Sequence, residues 1–243
     1  GDIIPAEIPG LKAVNAVDEA GVHPLLFAIG SERYTPFQKV EKPAELLTIA
    51  NHILGFGQMS LAKFLWIAAK EDDHGLDVDN KEKFLTHMLE RVDWSNDLHF
   101  YTRTSIDTLD YSGEGLNSGS KVVIAAVGDS RRKLSEKLPQ VTFPEELKAP
   151  KVVAAGVLAF SLADFENYDV EKTRIAAIGK QLFEMKEELN GFPLLLFADD
   201  SNFLAADFSN FLWATFTRSN PSHDIYGVGE FYENKHWGCT GPL

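Results

Sequence analysis

Apolar runs too short to be helices alternate along this chain with stretches of helical period, and no other feature of the sequence restricts the fold as much. "HPLLFAIGS" (23–31) reads as a buried strand. In "KPAELLTIANHILGFGQ" (42–58), Leu46, Leu47, Ile49, Ala50, Ile53 and Leu54 share one helical stripe. Pro43 suits the first turn of that helix, and Gly55 and Gly57 suit its end. "AKFLWIAA" (62–69) predicts a strand, "DNKEKFLTHMLERV" (79–92) a helix, and "DLHFYT" (97–102) and "SKVVIAAVG" (120–128) two more strands. The order is that of an α/β protein with a mixed, mostly parallel sheet flanked by helices.

The second half repeats the order. "KVVAAGVLAFS" (151–161) is strand-like, and "DVEKTRIAAIGKQLFEMKEELNG" (169–191) is a helix closed by Asn-Gly. "FPLLLFADD" (192–200) predicts a strand, "AADFSNFLWATFTRS" (205–219) a helix and "HDIYGV" (223–228) a strand. Residues 84–98 and 211–225 align without a gap, pairing Phe84 with Phe211, Leu85 with Leu212, Arg91 with Arg218 and Asp97 with Asp224. Asp72-Asp73 and Asp199-Asp200 share the same offset, so an internal duplication is expected, against the alternative that any two βαβ units look alike. The expected organisation is two tandem related α/β/α units: 1–128, a polar, proline-containing linker over 129–150, and 151–243, the second unit stopping short of its last strand.

Acids outnumber bases 36 to 23, a net charge of −13. Such a chain repels phosphate backbones, which argues against nucleic acid or an anionic membrane surface as partner. No apolar run approaches a membrane span. The single cysteine, Cys239, cannot form an internal disulfide and fits a reducing, cytoplasmic setting. The chain opens on Gly1 rather than Met, as expected of a piece of a longer protein.

Few residues suggest self-sufficient chemistry. His74, His87 and His99 match no zinc spacing. "GFGQMS" (55–60) follows a helix and precedes a strand, the reverse of a phosphate-binding turn. "SGSK" (118–121) lacks the first glycine and the helix of a Walker loop, and no GxSxG elbow is present. Cys239 near His236 could be a thiolate, with a buried, inert cysteine as the competing reading. Asp72, Asp73, Asp199 and Asp200 follow predicted strands, where crevices of open α/β sheets bind ligands, although turn or cap roles explain them equally well.

The most distinctive stretch is "TRTSIDTLDYSGEGLNSGSKVVIAA" (102–126). Its "TSIDTLDY" (104–111) and "GLNSGSKVVIAA" (115–126) follow "AKFLWIAAKEDD" (62–73) and "KFLTHMLERVDWSNDLHFY" (83–101). In that order they resemble the UbiD family, prenylated-FMN-dependent decarboxylases of aromatic and other unsaturated acids. Family members run from a strand ending in acids through a helix closing in "TR" to a segment close to "TPIDYLDF" and a strand opening "GSK". "LWATFTR" (212–218) of the second half is the closer match to that helix. "GVHPLLFAIGSERY" (21–34) resembles the strand opening this region in the branch linked to 3-polyprenyl-4-hydroxybenzoate and menaquinone-type decarboxylases.

The resemblance covers nearly the whole chain but only the family's C-terminal part. Members hold the flavin phosphate, the metal and a Glu-Arg-Glu catalytic network upstream, so it implies no catalytic or cofactor residue in this chain. For the full-length protein it implies prenylated FMN with a divalent metal, non-oxidative decarboxylation, a homo-oligomer, and an upstream flavin-binding domain on the same polypeptide. This chain would be its lid and assembly domain, inactive alone. Carried over by position, Ile106 and Leu109 would close over substrate, with Ser105, Asp107 and Thr108 shaping the loop; burial of both in this domain's own core is the competing reading. Which of the two units meets the active site is left open. The alternative functions are a non-catalytic scaffold module or a small-molecule-binding α/β protein.

Overall fold

The computed structural model describes residues 4–21, 23–32 and 40–243. Val22, Arg33 and Tyr34 of the "GVHPLLFAIGSERY" stretch lie outside them, as does Gly1. A short helix, α1 (Ile4–Glu7), leads into β1 (Leu11–Ala16) and β2 (Leu25–Gly30), which pair antiparallel. Then follow α2 (Glu45–Leu54), β3 (Phe64–Ala69), α3 (Lys81–Arg91), β4 (Leu98–Thr104) and β5 (Gly119–Ala126). The sheet order is β1-β2-β3-β5-β4. β2, β3 and β5 are mutually parallel, with Leu25 opposite Phe64 and Phe64 opposite Val122, while β4 runs antiparallel to β5. The three parallel strands are buried throughout, as continuous apolar runs must be when both faces of a sheet are covered.

Alternation along these strands divides the core. Leu26, Ala28, Leu65, Ile67 and Val123 pack with Leu46, Ile49, Ala50 and Ile53 of α2. Phe27, Trp66 and Ile124 point the other way, toward Phe84, Leu85 and Met88 of α3.

The second half contributes β6 (Lys148–Ala154), β7 (Val157–Ser161), α4 (Tyr168–Glu184), β8 (Leu194–Ala198), α5 (Ser201–Ala206), α6 (Phe208–Thr217), α7 (Pro221–Asp224), β9 (Glu230–Glu233) and β10 (His236–Cys239). β6 pairs antiparallel with β7, and β7 parallel with β8. α4 covers one face of this sheet through Ile175, Ile178 and Leu182. From the other face Val157, Ala159, Leu194 and Leu196 join Phe211, Leu212 and Phe216 of α6 in the cluster that already holds α3 and the first sheet. The fold is thus α/β with mixed sheets: α2 and α4 cover the outer faces, and α3 and α6 pack in the core between the sheets.

The order β-β-α-β-α, with an antiparallel pair followed by a parallel one, occurs in both halves. The aligned register is visible in hydrogen bonds. Asp97 Oδ2 accepts from Asp93 N, and Asp224 Oδ2 accepts from Asn220 N. The N–H groups of Asn96 and Asp97 donate to Asp93 O, as those of His223 and Asp224 donate to Asn220 O.

Several elements differ from the sequence reading, and the helix expected over 205–219 is instead the end of α5 and all of α6, separated by Asp207 in extended backbone. "KVVAAGVLAFS" is a hairpin, because Gly156 turns at φ +77°. "HDIYGV" is no strand: Pro221 starts α7 and Asp224 closes it onto Asn220. β1 is an additional edge strand. β9 and β10 form a hairpin whose turn, Asn234-Lys235, has both residues at positive φ, as a two-residue type I′ connection demands.

Residues 129–147 hold no helix or strand yet bind both halves. Arg131 N donates to Glu90 O, Arg132 Nη1 donates to Leu89 O and Val92 O at the end of α3, and Ser135 N donates to Gly191 O. Among the described residues no helix is long and apolar enough to cross a membrane.

Candidate functional site

The connection between β4 and β5, residues 105–118, contains the predicted lid residues. Its three acids are each tied to a basic side chain from a different element. Asp107 meets His23 before β2, Asp110 meets Lys63 at the foot of β3, and Glu114 meets His223 of α7. Asp107 and Asp110 therefore face inward as anchors, while Glu114 keeps its pairing at the half-exposed surface.

Lys63 is the centre of this arrangement. Its Nζ lies 2.8 Å from Asp110 Oδ2, 2.6 Å from Ser112 Oγ, 2.8 Å from Ser219 O and 3.3 Å from Thr217 O. The Lys63 and Asp110 side chains are only 1% and 6% exposed. Burial pulls the lysine below its ordinary range, and Asp110 pulls it back. A pair this deep is costly to break from one side, because the surviving charge has no solvent.

The apolar residues divide. Ile106 is 2% exposed and lies under Gly113 and Gly119, where an added Cβ would come within 2.8 Å of Ile106 Cδ1. Gly113 has the further constraint that a Cβ would stand 2.1 Å from Ser118 O. Leu109, Tyr111 and Leu116 are 76%, 87% and 79% exposed. Asp107 Oδ1 accepts from Leu109 N at 3.0 Å, forming an Asx turn that directs Leu109 outward. This bond and His23 hold the Asp107 carboxyl below its ordinary range. Ser105 and Thr108 are exposed.

The other four acids do not converge. Asp72 accepts from Gly128 N at 2.8 Å, pinning the end of β5, and burial raises its pKa. Asp73 caps a turn by accepting from Gly75 N, which lowers its pKa. Asp199 is exposed, and Asp200 is the N-cap of α5, accepting from Asn202 N. An open cavity of about 440 Å³ at the end of β7, lined by Glu146, Lys148, Ser161, Leu162, Ala163 and Arg174, includes none of the four. Cys239 is buried, and its thiol is pushed up to about 12 by that burial. His236 faces Ser95 O instead of the sulfur. Among the described residues no three His, Cys, Asp or Glu side chains could hold a metal ion.

Sequence reasoning missed Lys63, His23 and His223. Lys63 left one signal, a cation at the mouth of the apolar run "FLWIAA" (64–69).

A family model for the 3-octaprenyl-4-hydroxybenzoate carboxy-lyase C-terminal domain matches residues 1–126. The chain is 33% identical over 241 residues to an uncharacterised protein of Chlamydia trachomatis, covering 99% of the chain and 38% of that protein. It is 31% identical over 228 residues to a Chlamydia pneumoniae protein named as part of a 4-hydroxybenzoate decarboxylase, covering 93% and 35%. The chain thus spans between a third and two fifths of the length of these relatives. Among solved structures, the Sedimentibacter hydroxybenzoicus vanillic acid decarboxylase in closed form is similar with a TM-score of 0.42 and 18% identity, over 58% of this chain and 27% of that one. HmfF of Pelotomaculum thermopropionicum, a UbiD-class enzyme in complex with FMN, gives 0.41 and 13%, over 58% and 28%.

Proposed function

The chain belongs to the 3-octaprenyl-4-hydroxybenzoate carboxy-lyase C-terminal domain family, and from that premise we propose that it is the lid and assembly region of a UbiD-like carboxy-lyase. The parent reaction is non-oxidative: the bond from an aromatic or unsaturated carbon to its carboxylate breaks, carbon dioxide leaves, and a proton takes its place. One observation supports the lid role above others. Within the matched segment, Leu109, Tyr111 and Leu116 stand in solvent on a loop whose acids are each paired with a basic side chain, Asp107 and Asp110 turned inward and Glu114 half exposed. An apolar cover of this kind excludes water from a reacting carboxylate, and its opening can limit turnover. In this reading Leu109 covers, Ile106 anchors the loop from within, and Ser105 and Thr108 form its outer rim.

Among the described residues the donor set does not fit the divalent metal that the family implies. No described trio of acidic, histidine or cysteine side chains converges, and the buried cations Lys63 and Lys121 are engaged by Asp110 and by Ser60 O. The flavin, the metal and the bond-breaking step are assigned to the upstream part of the polypeptide.

The test compares carbon dioxide release from a panel of aromatic acids by this chain and by the longer polypeptide that includes the upstream region. The chain alone is expected to be inactive. In the longer protein Leu109→Ala is expected to lower kcat/KM roughly tenfold, the size of a lost apolar contact in a closed pocket, while Thr108→Val stays within about twofold. Decarboxylation or tight flavin binding by this chain alone would overturn the reading.

A further inference from the structure

The groups that hold the 105–118 loop do not come from the first half alone. Thr217 O, Ser219 O, Asn220 and His223 lie beyond residue 126, where the family match ends. We propose that the second half of the chain positions this loop, with Lys63 as a shared anchor and an Asn220–His223 relay as the clamp on its tip. The proposal rests on the lid reading only for what the loop covers.

Lys63 serves two elements at once. Thr217 and Ser219 close α6, where helix carbonyls lack intrahelical donors and the dipole favours a cation. The ammonium group fills that end and, with the same charge, binds Asp110 and Ser112 of the loop. Ser112 Oγ adds its own contact to Ser219 O at 3.2 Å. The middle of the loop is thereby joined to the end of α6 through one buried charge.

The relay joins the loop's return to its tip. Ser120, fully buried at the start of β5, donates through Oγ to Asn220 Oδ1 and accepts from Ser222 N. With its oxygen so occupied, Asn220 turns Nδ2 toward His223 Nδ1 at 3.0 Å, which Ser222 Oγ also approaches at 3.0 Å. A ring nitrogen that accepts there places the imidazole proton on Nε2. Nε2 lies 3.0 Å from Glu114 Oε1 and donates to it. Tyr168 stands against the ring, with centroids 5.2 Å apart, and limits its rotation. The direction of every donor in Ser120, Asn220, His223 and Glu114 is consistent, so the tip is held by an ordered chain of hydrogen bonds.

Amide hydrogen exchange on this chain tests the assignment. The Leu109, Asp110, Ser112, Glu114 and Ser118 amides are hydrogen-bonded within the loop and report its opening. His223→Leu is expected to raise exchange at Glu114 and Ser118 about two- to fivefold, the range of a partly exposed pair, with Leu109 and Asp110 unchanged. His223→Gln retains a donor toward Glu114 and is expected to restore most of the protection, which a merely space-filling role would not. Lys63→Met is expected to raise exchange at all five amides. If that variant does not fold, Asp110→Asn replaces it, with the same expectation. Unchanged exchange at Glu114 and Ser118 in His223→Leu, or equal loss in the Gln and Leu variants, overturns the clamp. No decarboxylation enters the measurement, so a failure of the lid reading would leave these outcomes readable.

Discussion

Asp97 and His87 are both buried, and burial shifts them in opposite senses. The Asp97 carboxyl is raised from 3.8 to about 6, although Asp93 N and Asn96 Nδ2 donate to it. The His87 imidazole is lowered to about 4, burial acting first and the Arg91 charge second. Between about pH 4 and 6 the native Asp97 holds a proton that the unfolded chain has released, so its contribution to stability falls as pH rises. Between about pH 4 and 6.5 the unfolded chain protonates His87 and the native state does not, so that contribution rises with pH. Each is on the order of 3 kcal/mol, and together they nearly cancel. Asp97→Asn removes one side of the balance. Its stability relative to the parent chain is expected to fall by on the order of 2–3 kcal/mol between pH 6 and pH 4, and His87→Leu is expected to show the opposite trend. Urea midpoints at four pH values check this, and parallel curves for the three proteins would rule it out.

At the scale of elements, α3 and α6 begin alike. Asn80 accepts from Lys83 N, and Asp207, at the equivalent register position, accepts from Ser209 N. Alanine at either cap is expected to cost about 1 kcal/mol and glycine only a few tenths, read from thermal unfolding; equal losses for Ala and Gly would mean that the side-chain bond is not what holds the helix end. Caps of this kind, with apolar runs and helical stripes, made β2, α2, β3, α3, β4, β5, α4 and β8 legible in the sequence. Turns hidden inside apolar runs were not. "KVVAAGVLAFS" contains its reversal at Gly156 without a polar residue to mark it. β1 was obscured by irregular burial, and β9–β10 by a turn that puts Lys235 at positive φ. The loop was legible as a segment, but its fastenings were not. Lys63 finds Ser112 49 residues away and Ser219 156 away, and Asp107 finds His23 across 84. No local pattern encodes such pairings. Leu109 and Ile106 read identically in sequence; Gly113 and Gly119 leave the space that Ile106 fills, while the Asx turn at Asp107 directs Leu109 into solvent.

At the scale of the molecule, the two halves share a core. Phe216 of α6 meets Phe64 edge-on with centroids 5.0 Å apart, and Trp66 at 6.4 Å. Trp94 Nε1 donates to Pro193 O, and Cys239 N donates to Trp94 O, so backbone of the second half also satisfies groups of the first. Arg132 fastens the connecting segment to the end of α3. Opening either half would therefore expose apolar surface of the other, and the chain is expected to unfold in a single transition. Phe216→Ala places a cavity at the seam, at a cost of about 3–5 kcal/mol. For a chain of this length that lowers Tm by roughly 10 °C. Because the seam belongs to both halves, the whole transition is expected to move, with calorimetric and van't Hoff enthalpies still equal. A variant that melts in two steps, the earlier one confined to residues 148–243 by hydrogen exchange, would show instead that each half is stable on its own. The loop on residues 105–118 would then lose its second-half anchors in the earlier step, well before the sheet that carries it melts.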